Sequence, residues 1–407
     1  MSELEPLREL PDAEHGTGPA DLGIALGGGG ARAAYHAGFL RALARIFPDL
    51  VIPYVTGVSA GAINAAHVAS HHGRFIEAIE ELSHLWGNLT VEDVFRVDLS
   101  ALTLNLLRWA KQLVSGGAQR MTYVRGLVDT DPLRKYLNEA LHAVDSELTG
   151  IHYNIETGRL KAAAISTSSY TTGQSTTWVQ GRDITSWARP HRRSRRTILT
   201  VEHVMASTAI PLFFPAINIA GSWHGDGSVR LTAPLSPAVH LGARRIIAIS
   251  TRYRRSDSEA DRAEIEGYPP PAQVAGVLLN SIFLDLLDND AVELERLNAL
   301  LKELPPALWH GMRPLRLLIL RPSVDLGQLA QEFEPRLPHG FRFLSRGLGT
   351  RQTTSPDLLS FVLFQPDYLR ALLEIGERDG LAHAVRIREF LRNGDQIVTP
   401  ERTTTAQ

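Results

Sequence analysis

The first clear pattern in the chain is a short apolar run, Leu22-Gly23-Ile24-Ala25-Leu26, with no charged side chain. A run this short, bounded by glycine, predicts a buried strand. It passes directly into Gly27-Gly28-Gly29-Gly30-Ala31-Arg32-Ala33. Apolar residues then recur at helical spacing: Tyr35, Phe39, Leu43 and Ile46 share one face, and Arg41 and Arg45 lie on the other. Pro48 ends that helix. A second apolar run, Val51-Ile52-Pro53-Tyr54-Val55, leads through Gly57-Val58-Ser59-Ala60-Gly61 into the small residues Ala62 to Ala66. Strand, glycine loop, helix, strand, tight turn and helix, in that order, predict an α/β fold.

Further along, Arg74 to Trp86 reads as a helix, and Asp131-Pro132 starts another with proline in its first turn. Leu160 to Ile165 and Ser175 to Val179 read as strands joined around Thr172-Gly173, and Arg244 to Ser250 as a buried strand. Arg252 to Pro271 is charged and then proline-rich, an excursion from the pattern. Val274 to Leu304 is largely helical, with Leu294, Leu297, Leu301 and Leu304 as a short seam, read as packing on the sheet rather than as a two-heptad dimer zipper. Leu315 to Leu320 is a further strand, and Leu358 to Glu377 one or two helices with Gly380 as a cap.

Composition narrows the class. At 407 residues the chain has room for two or three small domains or one large α/β domain. A net charge of −2 provides no global field for nucleic acid. With no cysteine there are no disulfides, thiolate metal sites or cysteine nucleophile. Residues 1–20 are polar and acidic, without an apolar signal segment, and no apolar run approaches the length of a membrane span. A soluble, cytoplasmic protein is expected, with flexible tails at 1–20 and 391–407.

Two glycine-rich stretches carry the candidate chemistry. In Gly57-x-Ser59-x-Gly61 the serine stands between a strand and a helix, the context of a nucleophile elbow, and glycines two residues either side let the tight turn close. Gly28-x-Gly30-x-x-Ala33 has two readings. As a dinucleotide fingerprint it lacks the acidic residue after the next strand. As an oxyanion hole it presents backbone N–H groups to a bound oxygen, with Arg32 bracing the loop. Asp226-Gly227 by itself reads as a surface turn, and Ser59 requires a base. His36, His67, His203, His224 and His339 stand in no distinctive motif. Leu102 to Val114 reads as a core-packing helix or as an interfacial one, and the Arg189 to Arg196 run as a solvated loop or a site for anionic headgroups.

Together, Gly28-Gly29-Gly30-Ala31-Arg32, Gly57-Val58-Ser59-Ala60-Gly61, Ala206-Ser207-Thr208-Ala209-Ile210-Pro211-Leu212-Phe213-Phe214-Pro215 and Asp226-Gly227-Ser228 resemble the patatin-like phospholipase family. The family's patterns are G-G-G-x-R/K-G, G-x-S-x-G, A-S-x-x-I-P-x-x-F-P and D-G-G/A. Ala33 and Ser228 are this chain's departures from them. The resemblance implies a three-layer α/β/α fold with a central mixed, largely parallel sheet and additional C-terminal helices. The catalytic domain would span 21–252 and a mostly helical extension 253–390. It implies a Ser59–Asp226 dyad without histidine, an oxyanion hole of Gly28, Gly29, Gly30 and Ala60, and support from Arg32, Gly57, Gly61 and Gly227. No metal or organic cofactor is implied. The implied substrate is a lipid ester, reached by peripheral contact with a membrane, and the implied reaction is hydrolysis through an acyl-serine. An acyltransferase on the same core and a non-catalytic lipid-binding scaffold are the alternatives.

Overall fold

The computed structural model describes residues 19–96, 126–261, 267–337 and 356–392, with a few single positions between them. Leu102 to Val114 and His339 lie outside the described residues. Ten strands form one sheet: β1 Leu22–Leu26, β2 Tyr54–Val58, β3 Ala162–Ser169, β4 Ser175–Gly181, β5 Ala188–Arg189, β6 Arg192–Arg196, β7 Ile217–Ile219, β8 Ser222–Asp226, β9 Arg245–Ile249 and β10 Arg316–Leu320. Their order is β10-β9-β1-β2-β3-β4-β6-β5, with β8 on β3 and β7 on β8. The five strands from β10 to β3 run parallel, and β3 meets β4 and β8 antiparallel.

The helices are α1 Ala34–Ile46, α2 Ala60–Ser70, α3 Phe75–Asn88, α4 Val91–Val94, α5 Asp131–Ala140, α6 Thr149–Glu156, α7 Val201–Thr208, α8 Ser236–Leu241, α9 Asp257–Ala260, α10 Pro271–Phe283, α11 Asp285–Glu303, α12 Leu326–Phe333, α13 Asp357–Val362, α14 Pro366–Ala382 and α15 Ala384–Arg392. They lie on both sides of the sheet, and strand residues alternate accordingly. Ile24, Val55, Ala163, Ile247 and Ile249 join the larger core with residues of α1, α2, α3 and α14. Ala25, Tyr54, Ala162, Ile246 and Ala248 join a smaller one under α8. Burial on both faces explains why the parallel strands read as unbroken apolar runs. The architecture is three-layer α/β/α around a mixed, largely parallel sheet.

Several sequence expectations shift. The strand expected at Val51 to Val55 begins at Tyr54. Pro53 has no N–H to give to the ladder, and its carbonyl accepts from Lys161 and Ala162. The arginine run is not a loop: it forms β6 and part of β5 at the sheet's far edge. Gly380 does not cap α14 but lies within it, and a Cβ there would stand 2.5 Å from Ala42 Cβ. It belongs to a close crossing of α1 and α14. A Cβ on Gly38 would fall 2.1 Å from the Leu373 carbonyl oxygen, and one on Gly376 2.3 Å from that of Tyr35. Glycine lets the two helix backbones touch, and it ties the C-terminal helices to the first helix of the chain. The expected seam on α11 holds in part: Leu294 and Leu301 are buried, and Leu304 is exposed.

Candidate active site

The sheet's topology brings the site together. β2 and β8 share the same edge of β3 and approach it from opposite directions. β2 ends with Val58 opposite Ser166, and β8 ends with Asp226 opposite Thr167, the next residue of β3. The C-terminal ends of the two strands therefore meet head-on. Ser59 directly follows one and Asp226 terminates the other, which brings together residues that are 167 positions apart.

Ser59 sits at the tip of a strained turn, with φ 54° and ψ −135°, a conformation that non-glycine residues rarely adopt. The flanking glycines are dictated by contact. A Cβ on Gly57 would stand 2.6 Å from the Gly61 carbonyl oxygen, and one on Gly61 2.2 Å from that of Gly27. Ala60 begins α2, so the N-terminus of that helix opens beside the serine.

Ser59 Oγ donates to Asp226 Oδ2 at 2.6 Å. Asp226 is fully buried, Ser59 is 3% exposed, and Ser228 N–H donates to Asp226 Oδ1 at 2.9 Å. Burial pushes the Asp226 carboxyl up to about 7, against hydrogen bonds that favour its charged form. Gly227 follows under Ser166, whose carbonyl oxygen would lie 2.1 Å from a Cβ there.

The glycine loop passes the same point. A Cβ on Gly28 would stand 3.2 Å from Ser59 Cβ and 2.7 Å from Phe283 Cδ1. Gly30 has φ 56° and abuts the Phe361 carbonyl. Arg32 is buried beneath the loop, where it pairs with Asp357, donates from Nε to Ser360 Oγ at 2.7 Å and lies 4.7 Å over the Phe361 ring. The brace expected of Arg32 is thus completed by α13, more than 300 residues later in the chain.

Sequence reasoning missed two further supports. Ser207 on α7 is fully buried and accepts the Ser59 N–H at 2.9 Å while donating to the Ser166 carbonyl at 2.6 Å. The Ala209 carbonyl accepts the Asp226 N–H at 2.9 Å. The Ala206 to Pro215 stretch therefore holds the backbones of both Ser59 and Asp226. The signal was present as a motif, but its geometry required α7 to be placed.

Three of the candidate histidines are engaged elsewhere. His67 bonds the Ala78 carbonyl, His203 caps α7 through Thr200, and His224 bonds Thr167. Burial holds His36 down to about 3 and His224 to about 4. None of them is hydrogen-bonded to Ser59. Among the described residues no group of three or more His, Asp or Glu side chains is arranged to hold a metal. No described helix is long and apolar enough to cross a membrane.

An apolar cleft runs beside the glycine loop and the end of β2, lined in part by Gly28, Val58, Leu231, Ile282, Phe283 and Leu287. Its free volume is about 30 Å³, room for a single water molecule.

No curated protein matches the chain. Among solved structures, human GIVD cytosolic phospholipase A2 is 14% identical with a TM-score of 0.45, covering 91% of this chain and 60% of that one. The same enzyme in complex with methyl gamma-linolenyl fluorophosphonate is 15% identical with a TM-score of 0.43, covering 91% and 58%. VipD from Legionella pneumophila is 13% identical with a TM-score of 0.35, covering 90% and 67%. The chain thus spans about three fifths of the human enzyme's length. A sequence model of the family described as patatin-like phospholipase matches residues 24–239. That match exceeds half of the 407 residues and takes in the glycine loop, the Ser59 elbow and Asp226, so the protein belongs to the patatin-like phospholipase family.

Proposed function

We propose that the protein is a lipid acyl hydrolase that uses Ser59 as nucleophile and Asp226 as its base. The observation that carries this reading is the 2.6 Å hydrogen bond from Ser59 Oγ to a fully buried carboxylate. A serine hydroxyl attacks only when a neighbour takes its proton. A carboxyl raised to about 7 is matched to that task near neutral pH, whereas an ordinary aspartate is too weak a base.

Asp226 accepts the proton as Ser59 Oγ bonds to the ester carbonyl carbon. The oxyanion is received by the backbone amides of Gly28, Gly29, Gly30 and Ala60, and each such donor contributes on the order of 3 kcal/mol to the transition state. Collapse breaks the ester C–O bond, and the alcohol leaves with the proton from Asp226. Water, deprotonated by Asp226, then attacks the acyl-serine, and as the acyl–Oγ bond breaks and the fatty acid is released, Asp226 returns the proton to Ser59 Oγ. Residues 21–252 carry this chemistry. Residues 253–390 act as a brace, since Asp357 and Ser360 hold Arg32 under the loop. The acyl chain lies along the cleft of Leu231, Ile282 and Phe283, which widens to admit it. Lipid is met by peripheral contact with a membrane surface.

The test is hydrolysis of short- and medium-chain p-nitrophenyl esters and of a phospholipid panel by the wild type, Ser59→Ala and Asp226→Asn. Loss in both variants supports the dyad, and the panel sets the lipid class. A folded Ser59→Ala protein with wild-type activity would sink the proposal.

A further inference from the structure

The chemistry above uses the carboxylate of Asp226 and the loop amides, and leaves the side chain of Ser228 without a role. Ser228 stands where the resembling D-G-G/A pattern has glycine or alanine, so its hydroxyl is a feature of this chain. The residue is 5% exposed and lies in the 3-10 turn Gly227–Val229. Its N–H is used by Asp226 Oδ1. Its Oγ has no partner in hydrogen-bonding geometry among the described residues, although the hydroxyl is near enough to Asp226 to help hold that carboxyl down. A buried hydroxyl without a partner destabilises the fold, and alanine at the same place would avoid that cost. Such a group is explained when its partner arrives with a ligand.

Its position says which ligand atom. Ser228 Oγ lies 2.8 Å from the point where a Cβ on Gly28 would stand, and the same point is 3.2 Å from Ser59 Cβ. Hydroxyl, glycine loop and nucleophile converge on that one point, which Phe283 Cδ1 also approaches to 2.7 Å, and Ser228, Gly28 and Phe283 all line the cleft. For Ser59 to attack it, the acyl carbon must come up beside this point with the Phe283 ring displaced and its oxygen toward the loop.

We propose that the Ser228 hydroxyl donates a hydrogen bond to the acyl oxygen of the bound ester, adding a side-chain donor to the backbone amides that receive the oxyanion. The proton stays on Oγ throughout, and no bond to Ser228 is made or broken. The inference rests on the hydrolase reading given above.

The test compares wild type, Ser228→Ala, Ser228→Gly and Ser228→Thr on a soluble p-nitrophenyl ester, with thermal midpoints and pH profiles. A donor used in the transition state predicts that Ser228→Ala lowers kcat on the order of 100-fold. KM should stay within threefold, and the thermal midpoint should be unchanged or raised, because an orphan hydroxyl has gone. Ser228→Thr should recover part of the rate, and Ser228→Gly should match alanine if alanine proves hard to fold. The acid limb of the profile should move up only slightly, since the hydroxyl is the smallest of the influences on Asp226. A Ser228→Ala enzyme within threefold of wild-type kcat overturns the inference and leaves the hydrolase reading intact. A loss that is fully recovered at high pH also overturns it, since the hydroxyl would then act only through Asp226. A wild type that hydrolyses no ester removes the functional reading itself, and this inference with it.

Discussion

Replacing Asp226 with asparagine should abolish activity and, above neutral pH, make the protein more stable. The carboxyl is fully buried, and burial raises it from the ordinary 3.8 to about 7. Because the folded-state value lies above the unfolded one, the folded protein holds the proton longer. This group therefore costs nothing below pH 3.8, costs progressively more as pH rises towards 7, and carries its full cost above that. At about 1.4 kcal/mol per pH unit the full cost is roughly 4 kcal/mol, of which about 3 kcal/mol develops between pH 5 and 8. Asparagine carries no charge, and it can accept the Ser228 N–H with its oxygen while its Nδ2 donates to Ser59 Oγ. Urea unfolding of wild type and Asp226→Asn across this range measures the difference directly. The stability gap in favour of the variant should widen by about 3 kcal/mol from pH 5 to 8. Parallel pH curves for the two proteins would refute the claim that burial holds this carboxyl high. The kinetic counterpart is an acid limb near pH 7, with kcat/KM falling about tenfold per unit below it.

Three further outcomes follow from the site. Ser207→Ala should leave the Ser59 N–H and the Ser166 carbonyl without their partner, costing about 1–3 kcal/mol in urea unfolding, and it should slow covalent labelling of Ser59. Arg32→Met should cost roughly 1–3 kcal/mol, because the partly buried Asp357 loses its cation and keeps only its bond from Asn280; activity should fall with it, as the loop loses its brace, and an unchanged unfolding midpoint would refute this. Exchanging Arg192, Arg193, Arg195 and Arg196 for glutamine should weaken binding to anionic vesicles and reduce its salt sensitivity; unchanged co-sedimentation would mean that edge strand β6 does not face the lipid.

Much of the site was legible because its parts are local. The Gly57-Val58-Ser59-Ala60-Gly61 turn and the Gly28 to Arg32 loop each follow a strand and open into a helix, and the crowding that demands glycine can be anticipated from a tight turn alone. What could not be read depends on contacts distant in sequence. The head-on meeting of β2 and β8 against β3 needs the sheet's register. Arg32 announces a brace but not its partner on α13. Gly380 looked like a helix cap because glycine commonly ends helices, whereas here it serves a helix crossing with α1. The arginine run looked like solvated chain because charge argues for exposure, and a strand at the edge of a sheet satisfies the same charge pattern. Leu315 to Leu320 reads as a strand in the sequence, but its place beside β9, closing the parallel edge of the sheet, needs the register.

Activity assays alone cannot say which atom attacks. The most direct test of the central claim is to treat the folded protein with an alkyl fluorophosphonate and map the adduct by peptide mass spectrometry. The account predicts one phosphonylated residue, Ser59, with labelling that slows below pH 7 and disappears in Asp226→Asn. A label on another residue, or labelling of Ser59 at the same rate without Asp226, would contradict it.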